Sequence, residues 1–211
     1  MKVYGKEIKD MPVEKWVDSD TTHPDAIDLV YNDIITKIAP KGKVLGAGDS
    51  PFPHAVLNMQ YFHDHPVEEG HAINIEKSHE GSLNNFKVIH GDANDMPYED
   101  NYFDFVYTVM MLEHNPNFWL SVQEMHRVLK PGCPLMIAIP GFVGQPEYAV
   151  NDPRDHWGHG TSCYENHTPC DCYRFSPDFF KFFALKDFDN AVVYHAMFPP
   201  RLIGVGYKPN E

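Results

Sequence analysis

The sequence predicts an α/β protein built on a doubly wound, mostly parallel sheet, and two observations lead to that prediction. Short runs rich in β-branched and aromatic residues alternate along the chain with stretches of helical periodicity. Such alternation is typical of a parallel sheet with helices on both faces. The last two apolar runs are joined by Pro199-Pro200 without a helix between them, so we expect the closing pair of strands to be antiparallel.

The first half of the chain is predicted to form two helices and three strands. Residues 27–38 place isoleucine and valine at helical spacing, and Pro24 suits the first turn of that helix. Residues 43–48 form a short apolar run that leads into a glycine turn. The remaining elements of this half are a helix at 53–62 and strands at 71–76 and 86–90.

The second half continues the same alternation. Residues 102–109 are almost continuously apolar, as expected of a strand buried on both faces. A helical stripe over 118–129 ends at Lys130-Pro131-Gly132. The remaining elements are a strand at 135–139, a helix that begins at Ser176-Pro177, and closing strands at 191–198 and 201–207.

Length and periodicity predict a single domain over residues 1–211. The polar residues 1–22 are interpreted as an N-terminal cap. Residues 141–175 have no regular period and lie between a strand and a helix, where loops reach the carboxyl edge of the sheet. We therefore interpret them as an inserted substrate lid.

Charge and composition exclude several classes of partner. Lys and Arg number 17 against 30 Asp and Glu, a net charge of −13, which disfavours a nucleic-acid groove or an anionic lipid surface. No run of about 18 apolar residues occurs, and the charged N-terminus lacks the apolar segment of a signal peptide. The expected location is therefore the cytoplasm, where the four cysteines serve as thiols or metal ligands.

Three strand ends carry residues suited to a nucleoside. Gly46-Ala47-Gly48 follows the first strand and allows close approach of the backbone to a ligand, although Pro51 breaks the dinucleotide fingerprint. Glu76 is placed at the end of the second strand, where a carboxylate accepts ribose hydroxyls, and Asp92 follows the third. The glycines alone are equally typical of a turn without a ligand, and each acid alone is most simply a solvated loop residue, but together they outline a nucleoside site.

Three further runs carry a resemblance to a known family. Residues 91–106 read GDANDMPYEDNYFDFV, residues 112–114 read LEH, and residues 124–132 read EMHRVLKPG. In order and spacing they are similar to the runs of class I S-adenosylmethionine-dependent methyltransferases of type 11. Residues 171–177, DCYRFSP, also resemble a segment of one subgroup.

The resemblance implies a Rossmann-like methyltransferase fold of seven strands with the last strand inserted antiparallel. It implies S-adenosylmethionine as cofactor, with Gly46, Ala47 and Gly48 beside the methionine moiety and Glu76 on the ribose. Asp92 and Ala93 are then expected at the adenine, and Thr108 and Val109 beside the sulfonium.

The first motif departs from the family pattern. The family has an acid two residues before the first glycine, where this chain has Val44, and a third glycine where it has Ser50. Asp49 is the candidate replacement for the lost acid, which often positions the amino group of the cofactor.

Histidine and cysteine are concentrated in the predicted lid. The six residues are His156, His159, Cys163, His167, Cys170 and Cys172. These residue types are the preferred ligands of zinc, but their spacing matches no common zinc motif. A zinc site and a lid with neutral histidines and thiols both remain open, and we favour the lid.

Candidate groups for acceptor chemistry come from the loops. His114 is the first candidate general base because it follows the fourth strand, and His156 and His159 are the second choices. A histidine that only packs or caps a turn is the alternative at His114. Tyr164 and Arg174 are candidate acceptor contacts, and a structural salt bridge is the alternative for Arg174.

The sequence therefore favours methyl transfer to a small-molecule or glycan-like acceptor by in-line attack on the sulfonium methyl group. A degenerate methyltransferase fold that binds a cofactor or a partner is the alternative, supported by Val44 and Ser50. A zinc-stabilised interaction module is the third hypothesis, supported only by the histidines and cysteines of the lid.

Overall fold

The computed structural model describes residues 2–3, 6–7, 10–15, 26–51, 55–141, 172–197 and 200–210. The strands are β1 (Lys2–Val3), β2 (Lys6–Glu7), β3 (Val13–Lys15), β4 (Lys43–Ala47), β5 (Glu69–Asn74), β6 (Gly81–Leu83), β7 (Phe86–His90), β8 (Phe105–Val109), β9 (Pro134–Pro140), β10 (Asp189–Met197) and β11 (Pro200–Tyr207). The helices are α1 (Ala26–Ile38), α2 (Gln60–Asp64), α3 (Phe118–Val128) and α4 (Pro177–Phe179), and α4 continues as a π-helical segment over Phe180–Ala184. Short 3₁₀ turns cover Val56–Asn58, Lys77–His79 and Leu112–His114.

Over the described residues, the main sheet has nine strands in the order β3-β10-β11-β9-β8-β4-β5-β7-β6. The strands β7, β5, β4, β8 and β9 run parallel, and β11 lies antiparallel between β9 and β10. The predicted mostly parallel sheet with an antiparallel last strand is thereby confirmed, whereas the predicted count of seven strands was too low. The two extra strands, β3 and β6, are three residues long and extend the two edges.

Two apolar clusters cover the two faces of the sheet, which is why its central strands are almost continuously apolar. Along β9, Leu135 and Ile137 belong to the cluster that contains α3, whereas Met136 and Ala138 belong to the cluster that contains α1. This alternation follows from the period of two of a β-strand. The doubly wound architecture is the consequence of burying both faces of one sheet.

Several predicted boundaries were wrong by a few residues. The helix predicted at 53–62 is divided into the turn Val56–Asn58 and α2, with residues 52–54 outside the described part of the chain. The strand predicted to reach Glu76 ends at Asn74, because the Asn74 side chain accepts the Glu76 amide and turns the backbone away from the sheet. The strand predicted from residue 102 begins at Phe105, after Asn101 adopts a left-handed conformation.

Among the described residues, no helix combines the length and the apolar character needed to cross a membrane.

Candidate functional site

The carboxyl ends of β4, β5 and β7 meet at one edge of the sheet, since these neighbouring strands are parallel. The loops that follow them cover residues 48–51, 75–80 and 91–95. Ligands of open parallel sheets bind beyond this edge. The three predicted nucleoside-binding segments are therefore adjacent in the structure.

The turn after β4 is built around Gly48. Its φ is +79°, a left-handed conformation that glycine adopts without steric cost, and its amide donates to the Ile73 carbonyl at 2.8 Å. A Cβ atom at this position would overlap the Met111 side chain. The turn therefore requires glycine both for its backbone angles and for the close approach of Met111.

Asp49 lies inside this turn and is held by protein groups. Its carboxylate accepts the Tyr107 hydroxyl at 2.6 Å and the amides of Ser50 at 2.8 Å and Leu57 at 3.2 Å. Burial raises the pKa of the Asp49 carboxyl above its ordinary value, and these three hydrogen bonds oppose the rise. Asp49 therefore fastens the turn to β8. A contact to the amino group of a cofactor stays a prediction.

The two predicted nucleoside acids have exposed side chains on neighbouring loops. Glu76 follows β5, and its amide is fixed by the side chain of Asn74 at 2.9 Å. Asp92 follows β7, and its Oδ1 accepts the Asn94 amide at 2.8 Å in a tight local turn. Ala93 beside it is half-buried against the core. Both carboxylates can therefore reach a ligand at the edge while their backbones remain fixed.

The end of β8 is hydrogen-bonded to the end of β4 at this edge. Thr108 is fully buried, and its hydroxyl donates to the Ala47 carbonyl at 2.8 Å. Its side chain therefore holds the end of β4 rather than lining an open surface. Val109 is half-buried, and Met110 follows in a left-handed conformation.

His114 lies on the loop after β8, as predicted. It ends the 3₁₀ turn Leu112–His114, and its Nε2 lies 3.7 Å from Oε1 of the fully buried Glu113. The His114 side chain keeps 15% of its surface exposed. A partly accessible imidazole beside a buried carboxylate is an arrangement that can accept and hold a proton.

The end of the predicted lid is attached to this loop. The amides of Cys172 and Tyr173 donate to the Glu113 carbonyl at 2.7 and 3.2 Å, and the Tyr173 hydroxyl donates to Pro116 at 2.9 Å. Arg174, which is half-buried, donates to the Tyr173 carbonyl at 2.9 Å. Arg174 and His114 are thus carried on two segments that contact one another.

The other lid residues lie outside the described part of the chain: His156, His159, Cys163, Tyr164, His167 and Cys170. Cys172 is described and is exposed. Within the described residues there is no group of three or more histidines, cysteines and acids that could hold a metal. The zinc hypothesis, which depends mainly on the remaining residues, stays a prediction.

Sequence reasoning missed two sets of amide side chains. Asn94, Asn115 and Ser121 form a hydrogen-bonded network that ties the Asp92 loop to α3, including a 2.8 Å bond from Asn115 to Asn94. Asn74, at the end of β5, contacts both the glycine turn and Glu76. The available signal at Asn74 was a lone amide closing an apolar run.

Comparison with known proteins places this geometry in context. Residues 59–137 match the type 11 methyltransferase family model, described as "Methyltransferase domain". A demethylmenaquinone methyltransferase of Staphylococcus aureus is 42% identical over 60 residues, which cover 28% of this chain and 25% of that protein. The chain thus matches about a quarter of the length of such curated relatives.

Solved structures extend the likeness over most of the chain. A SAM-dependent methyltransferase from Thermotoga maritima has a TM-score of 0.61 at 14% identity, covering 86% of this chain and 89% of that one. The phosphoethanolamine N-methyltransferase 2 of Haemonchus contortus, solved with S-adenosyl-L-methionine, has a TM-score of 0.61 at 12% identity, covering 86% and 53%. At these identities the likeness concerns the fold.

Proposed function

We propose that this chain, whose residues 59–137 match the type 11 methyltransferase family model, transfers the methyl group of S-adenosylmethionine to a small-molecule or glycan-like acceptor. The observation that carries the proposal is the meeting of three segments at one sheet edge. These segments carry the left-handed Gly48 and the exposed carboxylates of Glu76 and Asp92.

The residues at this edge fit the proposed cofactor. Glu76 can accept the two ribose hydroxyls, and Asp92 with Ala93 can receive the adenine. Gly48, which is half-buried at the turn, is assigned to the methionine moiety because it lacks a side chain, whereas Gly46 and Ala47 are buried within β4 and support the turn. When bound, S-adenosylmethionine supplies a methyl group activated on a sulfonium, which an acceptor takes by in-line attack.

The contribution of the protein is then to orient an acceptor and to remove the proton that the acceptor loses. We assign to His114 the removal of a proton from an acceptor hydroxyl or ammonium group, supported by the Glu113 carboxylate that lies 3.7 Å from its Nε2. Arg174, on the attached end of the lid, can hold an anionic group of the acceptor. Within the given sequence, residues 141–175, between β9 and α4, are the segment that we assign to recognition of the acceptor.

Calorimetric titration with S-adenosylhomocysteine, followed by transfer of a labelled methyl group, tests the proposal. We expect binding at one site and transfer to at least one member of a panel of alcohols, phenols, amines and carboxylic acids. Absence of binding would remove the basis of the proposal. Binding without transfer to any acceptor would favour the degenerate, cofactor-binding alternative.

Substitution of the two nucleoside acids gives a sharper test. Glu76→Gln and Asp92→Asn should each weaken S-adenosylhomocysteine binding by about tenfold, because each removes a charged hydrogen-bond acceptor from the ligand. Glu68→Gln is the matched control, since it removes an exposed acid just before the start of β5, at the opposite edge of the sheet. Calorimetry on the three variants checks the prediction, and an unchanged dissociation constant in both site variants would refute the placement of the nucleoside.

A further inference from the structure

Asn74 occupies the last position of β5 and is 8% exposed. It belongs to a strand whose preceding residues, Ala72 and Ile73, are fully buried and apolar. A buried amide is stable only when its donors and acceptor are hydrogen-bonded. The identity of its partners shows what the residue does.

The side-chain NH₂ group of Asn74 holds the glycine turn. Nδ2 donates to the carbonyl of Gly48 and to the carbonyl of Asp49, each at 3.1 Å. The amide of Gly48 itself donates to Ile73, the neighbour of Asn74. The turn after β4 is thus attached to the end of β5 through both its N–H and its C=O groups.

The other polar atoms of Asn74 hold the remaining two segments. Its side-chain oxygen accepts the Glu76 amide at 2.9 Å, which sets the position of the Glu76 backbone. Its main-chain oxygen accepts the Gly91 amide at 2.9 Å, immediately before Asp92. One residue therefore contacts all three segments to which the nucleoside and methionine parts of the ligand are assigned.

Three of these hydrogen bonds are made by the side chain and the bond to Gly91 by the main chain. We infer that Asn74 is the positioning residue whose side chain sets the glycine turn and Glu76 in register with the Asp92 loop for cofactor binding. The inference rests on the proposed function. No other side chain of similar size does the same: aspartate lacks the two donors, leucine lacks all polar atoms, and glutamine is longer by one methylene. Misplacement of positioning groups by about 1 Å can lower a reaction rate by about a hundredfold. We therefore expect loss of this residue to weaken cofactor binding.

The experiment compares Asn74→Asp and Asn74→Ser with the wild type and with Asn85→Asp. Asn74→Asp keeps the shape and the acceptor but removes both donors, and it sets a carboxylate against two carbonyl oxygens. Asn85→Asp is the matched control, because the side-chain Nδ2 of Asn85 donates to the Val67 carbonyl at the opposite edge of the same sheet. Dissociation constants for S-adenosylhomocysteine, melting temperatures without ligand, and KM and kcat for S-adenosylmethionine are measured for all four proteins.

We expect both Asn74 variants to weaken S-adenosylhomocysteine binding by about ten- to a hundredfold. The factor by which KM for S-adenosylmethionine rises should be larger than the factor by which kcat falls. Asn85→Asp should lower the melting temperature and leave the dissociation constant unchanged, because its contact only stabilises the fold. A folded Asn74→Asp protein that binds within about threefold of the wild type would overturn the inference.

Two further outcomes are informative. If the wild type itself fails to bind S-adenosylhomocysteine, the proposed function fails. If neither Asn74 variant folds, amide hydrogen exchange of the wild type decides. Slow exchange of the Glu76 and Gly91 amides without ligand supports a preformed register, and exchange at the rate of an unprotected loop overturns it.

Discussion

Replacing Gly48 with alanine is expected to weaken S-adenosylhomocysteine binding by about a hundredfold and to lower the free energy of unfolding by about 1–3 kcal/mol. Two physical effects act together. A φ of +79° places any Cβ atom in an unfavourable position relative to its own backbone. That Cβ would also overlap Cβ and Cγ of Met111, which cannot be moved by rotating only the end of the side chain. The turn must therefore shift, and with it the surface assigned to the methionine moiety.

Gly81→Ala provides the matched control for this substitution. Gly81 is exposed in β6, and the nearest heavy atom to an added Cβ is 4.0 Å away, on Pro51. It should change neither affinity nor stability beyond a few tenths of a kcal/mol. Combining Gly48→Ala with Met111→Gly separates the two effects, since it removes both overlapping atoms of residue 111 and leaves the backbone strain at residue 48. Binding by Gly48→Ala within about threefold of the wild type would contradict the placement of the ligand at this turn.

The long, doubly buried elements were predictable because their sequence pattern follows directly from burial. β8, β9 and α3 are apolar at nearly every position or at helical spacing, and no side chain interrupts the pattern. The antiparallel pairing of β10 and β11 followed from the absence of a crossover between them. These features depend on local periodicity and chain length alone.

The parts that could not be predicted depend on contacts between distant residues. Asn74 turns the chain out of β5 through a side-chain amide whose partners lie on two loops, and no pattern in the residues around it reveals those partners. The role of Asp49 likewise depends on Tyr107, which is 58 positions away. Strands β3 and β6 are too short to show a period and form only because an existing edge is available.

The run EMHRVLKPG, one of the three runs that carry the resemblance to the family, has a structural role here. Arg127 donates Nε and Nη2 to the two oxygens of Glu124, both at 2.7 Å, in a planar fork. The same guanidinium donates to the carbonyls of Met96 and Tyr98 at 3.0 and 2.7 Å and to Asp100 at 2.8 Å. It therefore fastens the loop that follows Asp92 to α3.

Arg127→Met is consequently expected to lower the free energy of unfolding by about 2–4 kcal/mol. The Arg127 and Glu124 side chains are 31% and 17% exposed, so this pair is less screened than a surface ion pair. Its loss removes the guanidinium from two carbonyls and from Glu124, which then keeps the Met96 amide at 2.7 Å as its donor. Arg127→Lys keeps the charge but not the fork and should recover only part of the loss. Urea denaturation of the three proteins measures the differences.

The dependence of this loss on pH distinguishes an electrostatic fork from simple packing. The Arg127 hydrogen bonds are the main cause that holds the pKa of Glu124 below its ordinary value of 4.5. A group with a lowered pKa stabilises the folded state above its unfolded pKa, and this contribution disappears as the pH falls through the folded value. The difference in the free energy of unfolding between the wild type and Arg127→Met should therefore be largest at neutral pH and should shrink below pH 4.5, whereas a packing defect would persist.

A folded Arg127→Met protein should still bind S-adenosylhomocysteine, since Arg127 holds a loop and contacts none of Gly48, Glu76 and Asp92. A large loss of affinity in the folded variant would show that the loop it fastens takes part in binding.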